Sequence, residues 1–274
     1  MEAAATRLDW KGVAAAIARG ERNEVVIGAA LIAPSGERLS HNGSRRFVAA
    51  STVKVPLMIA LFHEIEAGHE RLVDTWSLGE ADRAPGSGVM LHLHAGLQLT
   101  LGDLVYLMIS ISDNTATNVL IDRVGMDRVA KVMQALGMWN STLERRMEGH
   151  AAAPGAPENW ATPDDYAEMM RALAVSTAAS PASCTAMLGY LEKQQNPRRI
   201  ARFLPRDGGP RWGSKTGSVE GVVNDVGFIE TGRGMLILSI FCETNDPYLG
   251  EETIGEISRA ALASVGSRNG SSKR

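Results

Sequence analysis

Ser51-Thr52-Val53-Lys54 sets a hydroxyl and an amine three residues apart, on one face of a helical turn. A serine hydroxyl is a poor nucleophile at neutral pH and needs a base, and an amine can be that base only when neutral. Burial and a second cation nearby both lower a lysine's pKa, and Lys215 is the candidate for the second charge. Two more polar islands follow in order, Ser112-Asp113-Asn114 and Lys215-Thr216-Gly217, each in an apolar flank. Ser112, in a loop, can pass a proton to a leaving nitrogen, and Asn114 carries both a donor and an acceptor with which to hold an amide. Asp113 is expected to hold its own loop. Lys215 and Thr216 form a seat for a carboxylate by charge and hydroxyl donation, and Gly217 removes a side chain where substrate backbone must approach. The oxyanion hole is expected from the N–H groups of Ser51, at a helix N-terminus, and of Ser218, on a strand. Together these residues describe acyl transfer through a serine.

The elements that must position them are legible in the periodicity. Ala14 to Ala18 belongs to a short helix, Glu24 to Ile32 reads as a strand, and Pro34-Ser35-Gly36 turns into a second strand ending near Phe47. From Thr52 to Ala67 the spacing is helical, with Val55, Ile59, Phe62 and Ile65 on one face and Gly68 as the stop. Helical segments then follow at 102–111, 116–124, 126–136, 162–174 and 183–191. Strands return at 211–218, 222–230 and 234–242, and a last helix carries Ile254, Ile257, Ala261 and Leu262. This pattern predicts an α/β (α+β) fold whose sheet is built from both chain ends, residues 1–50 and 200–274. A mainly helical domain, 51–199, is inserted between them. The tail from Ser267 to Arg274 is expected to fray.

Composition excludes other classes. The 274 residues are 45% apolar and 22% charged, which describes a globular chain with ample core. A formal charge of −3 leaves no footprint for nucleic acid, and the basic cluster of Arg198, Arg199, Arg202 and Arg206 reads as a solvated helix face. No stretch has the length of a membrane span, and Met1 to Trp10 lacks the pattern of an export signal, so the chain is cytoplasmic or has lost a leader. Cys184 and Cys242 read as buried free thiols, and His92 with His94 lacks a third ligand, so no metal or other cofactor is expected. Met108, Met133, Met169 and Met170 read as core filler, and Trp76, Trp160 and Trp212 read mainly as packing, with Trp212, three residues before Lys215, a candidate for the cleft's border. A monomer acting on a small molecule is expected.

S-x-x-K alone arises on the order of once per chain of this length by average usage, but the ordered trio with S-D-N and K-T-G is far rarer. With Arg46-Phe47-Val48-Ala49-Ala50 leading into Ser51, and Thr115-Ala116 and Asn118 following Asn114, the chain resembles the class A β-lactamase family over nearly its whole length. The resemblance implies an antiparallel sheet covered by helices beside an all-helical domain, with the active site in the cleft between them, and acylation of Ser51 by a β-lactam or a D-alanyl peptide.

One region departs from the family. Its E-x-x-L-N pattern, which carries the glutamate that activates the deacylating water, is absent. Counting back from Thr162-Pro163, Arg145 and Asn159 fall where the family places an arginine and an aspartate that pin this loop, and the glutamate's place falls at Met147 or Glu148. Glu148 is the candidate base, with Glu144 and Glu158 behind it. Since an acyl-enzyme persists unless a water is activated, three functions stand in order: a β-lactamase, a D-alanyl peptidase or esterase with poor β-lactam deacylation, and a non-turnover penicillin-binding sensor.

Overall fold

The computed structural model describes residues 8–266; Met1 to Arg7 and the expected frayed tail from Ser267 lie outside them. The chain runs through α1 (Lys11–Arg22), β1 (Val26–Ile32), β2 (Arg38–His41), β3 (Phe47–Val48), α2 (Lys54–Glu66), β4 (Thr75–Ser77), β5 (Gln98–Thr100), α3 (Leu101–Ser110), α4 (Asn114–Val124) and α5 (Met126–Ala135). It continues through β6 (Trp160–Ala161), α6 (Pro163–Ala174), α7 (Pro181–Leu191), β7 (Trp212–Val219), β8 (Val222–Thr231), β9 (Gly234–Glu243) and α8 (Pro247–Gly266).

The main sheet is antiparallel with order β2-β1-β9-β8-β7. The first strand pairs with the last, Ala29 opposite Ile240, so the two ends of the chain share one sheet, as the sequence predicts. β1 is buried from Ile27 to Ile32 because both of its faces are covered, which is why its sequence runs apolar without alternation. On the outer face α1 and α8 pack Val13, Ile17, Ile254, Ile257 and Ala261 against Ile27 and Ile240. On the inner face Phe47, Phe228 and Phe241 join a larger core that continues into α2 and the helices around it. Tyr166 of α6 meets the ring of Phe241 of β9 edge-on, so this mid-chain helix packs on the sheet.

Three expectations change. The second strand ends at His41, and Phe47 belongs to a separate two-stranded sheet, β3 with β6, because Asn42 takes a left-handed turn at φ 50°. A third small sheet, β4 with β5, lies inside the segment read as mainly helical; these strands are three residues each, too short for a periodicity to develop. α2 is buried on all sides from Lys54 to Phe62 rather than on one face, since it is the central helix of the larger core.

Helix starts follow local chemistry. Thr100 and Asp103 form a reciprocal capping box on α3, Asp113 caps α4 through Ala116 N–H at 3.0 Å, and Thr162 and Ser180 cap α6 and α7, each followed by proline.

Candidate active site

β3 delivers the chain into a single 3-10 turn, Ala50–Val53, which runs directly into α2. Ser51 is in this turn, so the helix N-terminus expected there is a tighter one. A 3-10 turn eclipses residues i and i+3, and this stacks Lys54 behind Ser51. Ala50, the residue before Ser51, is held at φ 46°, a left-handed conformation that costs a non-glycine residue energy and persists only where its surroundings impose it. Those surroundings are β7: a methyl group on Gly217 would lie 2.9 Å from Ala49 O, 3.1 Å from Thr52 Cγ2 and 3.3 Å from Ala50 Cβ. Only glycine lets this strand approach the Ser51 turn so closely. Asn224 of β8 ties the same turn down, its Nδ2 donating to Val48 O at 2.9 Å.

Lys54 is fully buried. Its Nζ donates to Ser112 O at 2.7 Å, Ser112 Oγ at 3.0 Å and Asn114 Oδ1 at 2.9 Å, and none of its hydrogen bonds goes to Ser51. Burial holds its pKa well below the ordinary lysine value, Lys215 lowers it further, and Asp113 opposes both. The amine is therefore biased toward the neutral form a general base requires.

Ser112 adopts φ 62° in the turn between α3 and α4, which aims its hydroxyl at Lys54. Asp113 does what the sequence suggests: besides capping α4 it accepts from Val89 N at 2.7 Å and Met90 N at 2.9 Å, fixing the loop at the 3-10 turn Met90–His92. Asn114 uses one N–H on Pro85 O at 2.8 Å, which leaves its second N–H and an acceptor lone pair for an amide.

On β7, Lys215 is buried with its Nζ donating to Thr216 O at 2.8 Å. Burial lowers its pKa to about 7, with Asp225 opposing the shift and Arg199 adding to it. Arg199 overturns the reading of its cluster as a solvated face. It is buried, and its guanidinium donates to Gly217 O at 2.9 Å, Asn224 O at 2.7 Å, Ser218 Oγ at 2.6 Å and Glu251 Oε1 at 3.4 Å. It therefore clamps the strand that carries Thr216, Gly217 and Ser218, from behind. Arg198, its neighbour, is exposed and meets the other oxygen of Glu251 at 3.3 Å. Arg199, Glu251 and Asn224 are the functional positions that the sequence reading missed; no local pattern separates Arg199 from Arg198. Trp212 does not border the cleft but lines a separate surface groove with Phe203 and Arg206.

The loop between α5 and α6 closes the other side. Asn159 pins it without charge, its Oδ1 accepting from Glu144 N at 2.8 Å and Arg145 N at 3.0 Å while its Nδ2 donates to Arg145 O at 3.1 Å. The charge that balances Arg145 comes from Glu158 at 3.2 Å and Glu148 at 2.7 Å. Asn118, another residue without an assigned role in the sequence reading, holds Met147 by its backbone from both sides, donating to Met147 O at 2.9 Å and accepting from Met147 N at 2.7 Å. The Met147 side chain is buried. Glu148 and Glu158 both line a recess beside Ser51, whereas Glu144 is exposed and outside it. Glu158 has both oxygens engaged, with Asn159 N on one and Ala152 N and Arg145 on the other. Glu148 is half exposed and bound through Oε2 alone.

Ser51 thus stands between two recesses. One, of about 40 Å3, is lined by Asn114, Glu148, Glu158 and Val219 among others. The other, of about 280 Å3, is lined by Ser112, Gln195, Asn196, Thr216 and Ser218 among others. Among the described residues no helix is long and apolar enough to cross a membrane, and no group of three His, Cys, Asp or Glu could hold a metal ion. Cys184 and Cys242 are buried free thiols.

The sequence pattern of the Beta-lactamase enzyme family matches residues 13–265. Beta-lactamase 1 of Streptomyces cacaoi is 28% identical over 239 residues, 81% of this chain and 73% of that protein, and Beta-lactamase SME-1 of Serratia marcescens is 26% identical over 242 residues, 84% and 81% of the two chains. Among solved structures, the β-lactamase from Sphaerobacter thermophilus superposes with a TM-score of 0.92 at 60% identity, covering 94% of this chain and 98% of that one. A variant of the last common ancestor of Gram-negative bacteria class A β-lactamase gives 0.85 at 27%, covering 93% and 99%, and PBP-A gives 0.83 at 25%, covering 93% and 96%. With this match over nearly its entire length and the antiparallel sheet, helices and cleft described above, the chain belongs to the β-lactamase enzyme family.

Proposed function

We propose that this protein hydrolyses β-lactams through an acyl-enzyme on Ser51. Ser51 Oγ attacks the ring carbonyl as its proton passes to Lys54 Nζ, and the oxyanion is held by the N–H groups of Ser51 and Ser218. Collapse breaks the C–N bond, and the proton travels from Lys54 through Ser112 Oγ, 3.0 Å away, to the departing nitrogen. Lys215 and Thr216 hold the substrate carboxylate, with Gly217 giving it room, and Asn114 holds the amide on the acyl side. Glu148 then takes a proton from a water that attacks the ester; as the C–O bond to Ser51 breaks, Ser51 Oγ takes that proton back, and the new carboxylic acid loses its own to solvent as a second carboxylate. Its free Oε1, its exposure and its place beside Ser51 support it over Glu158, whose oxygens are both occupied.

The observation that carries the reading is the fully buried Lys54 amine, hydrogen-bonded to Ser112 and Asn114 and depressed in pKa beside Lys215. The test is intact mass over time after mixing with benzylpenicillin. The parent forms an adduct that clears, Ser51→Ala forms none, and Glu148→Gln accumulates an adduct that decays about 100-fold or more slowly. A parent adduct that never clears rules out turnover, and adducts on Ser51→Ala rule out the nucleophile. Parent-like clearance in Glu148→Gln moves the base to another group.

A further inference from the structure

The two recesses differ in what bounds them as well as in size. The larger, about 280 Å3, holds Ser112 and Thr216, which serve the leaving nitrogen and the carboxylate; the smaller, about 40 Å3, holds Asn114, which serves the acyl side. Space of that smaller size admits only a few water-sized groups, since one water takes up roughly 10–15 Å3 of it.

Its boundary is a contact between two backbones. Gly86 and Gly149, both on the wall of the smaller recess, meet at positive φ, 96° and 80°. A methyl group on Gly86 would lie 2.8 Å from Gly149 Cα, and one on Gly149 would lie 3.0 Å from Gly86 Cα. Neither loop is free to retreat by a side-chain rotation. The Gly86 loop is fastened to Asn114 through Pro85 O at 2.8 Å and Ser87 O at 2.9 Å, and a methyl group on Gly88 would run into the Asp113 carboxylate. The Gly149 loop is fastened by the double hydrogen bond between Asn118 and Met147 and by the Arg145 ion pairs. Groups forced into such a packed, fastened site displace backbone at an energetic cost.

We propose that the Gly86–Gly149 seam makes the enzyme select β-lactams with a small acyl group on the amide that Asn114 holds, such as a formyl or an acetyl group, while tolerating a large leaving half. This rests on the acylation of Ser51 proposed above. The seam restricts the acyl side, and the larger recess, walled by Gln195 and Asn196, leaves the other side open.

The test uses three penicillins that share one leaving half and the acyl amide: 6-acetamidopenicillanic acid, benzylpenicillin and methicillin, whose acyl substituents increase in bulk. Second-order acylation constants from intact mass are expected to fall by at least about 100-fold from the first to the last. Constants equal within about threefold overturn the selectivity. Gly149→Ala, whose methyl group must part the two loops, is expected to shrink that ratio by about tenfold or more; an unchanged ratio in a variant with parent-like circular dichroism overturns the role of the seam. The penicillin series on the parent decides the selectivity even if Gly149→Ala does not fold. A parent that forms no adduct with any of the three refutes the Ser51 reading, an outcome distinct from equal acylation by all three.

Discussion

Replacing Arg199 by lysine keeps the charge and removes the shape. The guanidinium spreads its donors over four acceptors on three elements: Gly217 O and Ser218 Oγ on β7, Asn224 O on β8, and Glu251 on α8, at 2.6 to 3.4 Å. An ammonium offers three donors from one point and cannot stand where Nη1, Nη2 and Nε stand together. About two buried acceptors are left unmade at ~1–3 kcal/mol each, so Arg199→Lys should lose about 2–6 kcal/mol, a large share of the ~5–15 kcal/mol that holds a protein folded. The assay is urea unfolding, read as a lower midpoint at constant slope. Arg198→Lys is the control. Arg198 has the same residue type and touches the same Glu251, but its side chain is 62% exposed, and such surface pairs contribute ~0–1 kcal/mol. Because Arg199 also holds the Ser218 hydroxyl and Gly217 carbonyl, acylation by benzylpenicillin should slow in Arg199→Lys and stay unchanged in Arg198→Lys. A loss below about 0.5 kcal/mol in Arg199→Lys, or equal losses in the two variants, would refute the clamp.

Lys54→Arg should abolish acylation, because guanidinium does not lose its proton at working pH, while Lys215→Arg should retain measurable acylation with weaker binding; similar residual rates in stopped-flow acylation contradict the separate roles. Lys215 is lowered to about 7 by burial, so the charge proposed to hold the substrate carboxylate is present below that pH and lost above it. The acylation constant should therefore fall as pH rises through about 7, and Lys215→Arg should move that falling limb upward; a limb that stays in place refutes the assignment. The unfolded chain binds the same proton up to its ordinary value of 10.5, so Lys215 by itself makes stability rise with pH from about 7 to 10.5, which urea midpoints across that range can check against Lys215→Met. Gly217→Ala drives a methyl group within 2.9 Å of Ala49 O and should cost about 1–3 kcal/mol in urea unfolding while slowing acylation, since the strand and the Ser51 turn must separate; a parent-like rate would show that their close approach is unnecessary.

What the sequence determined by itself is the chemistry that fits within one or two turns of chain. A three-residue step from Ser51 to Lys54 suffices to stack them, Asp113 caps the helix that follows it, and the apolar runs at 26–32 and 234–243 are written by burial on both faces. Strands at both ends of the chain with helices between them implied one shared sheet, which β1 and β9 form, and the resemblance to the class A enzymes implied its antiparallel order. Tertiary structure decided the rest, because the deciding partner was remote. Arg199 and Arg198 are adjacent and alike, and only the docking of α8, 52 residues on, buries one and exposes the other. Glu148 and Glu158 are both loop carboxylates until Ala152, Asn159 and Arg145 fold onto one of them and leave the other an open oxygen. Gly86 and Gly149 look like ordinary turn residues, and their contact at the edge of the site exists only because Asn114 and Asn118, on one helix, hold the two loops face to face. Backbone propensities and side-chain spacing act over a few residues, whereas burial and hydrogen-bond satisfaction are settled by whichever distant segment arrives.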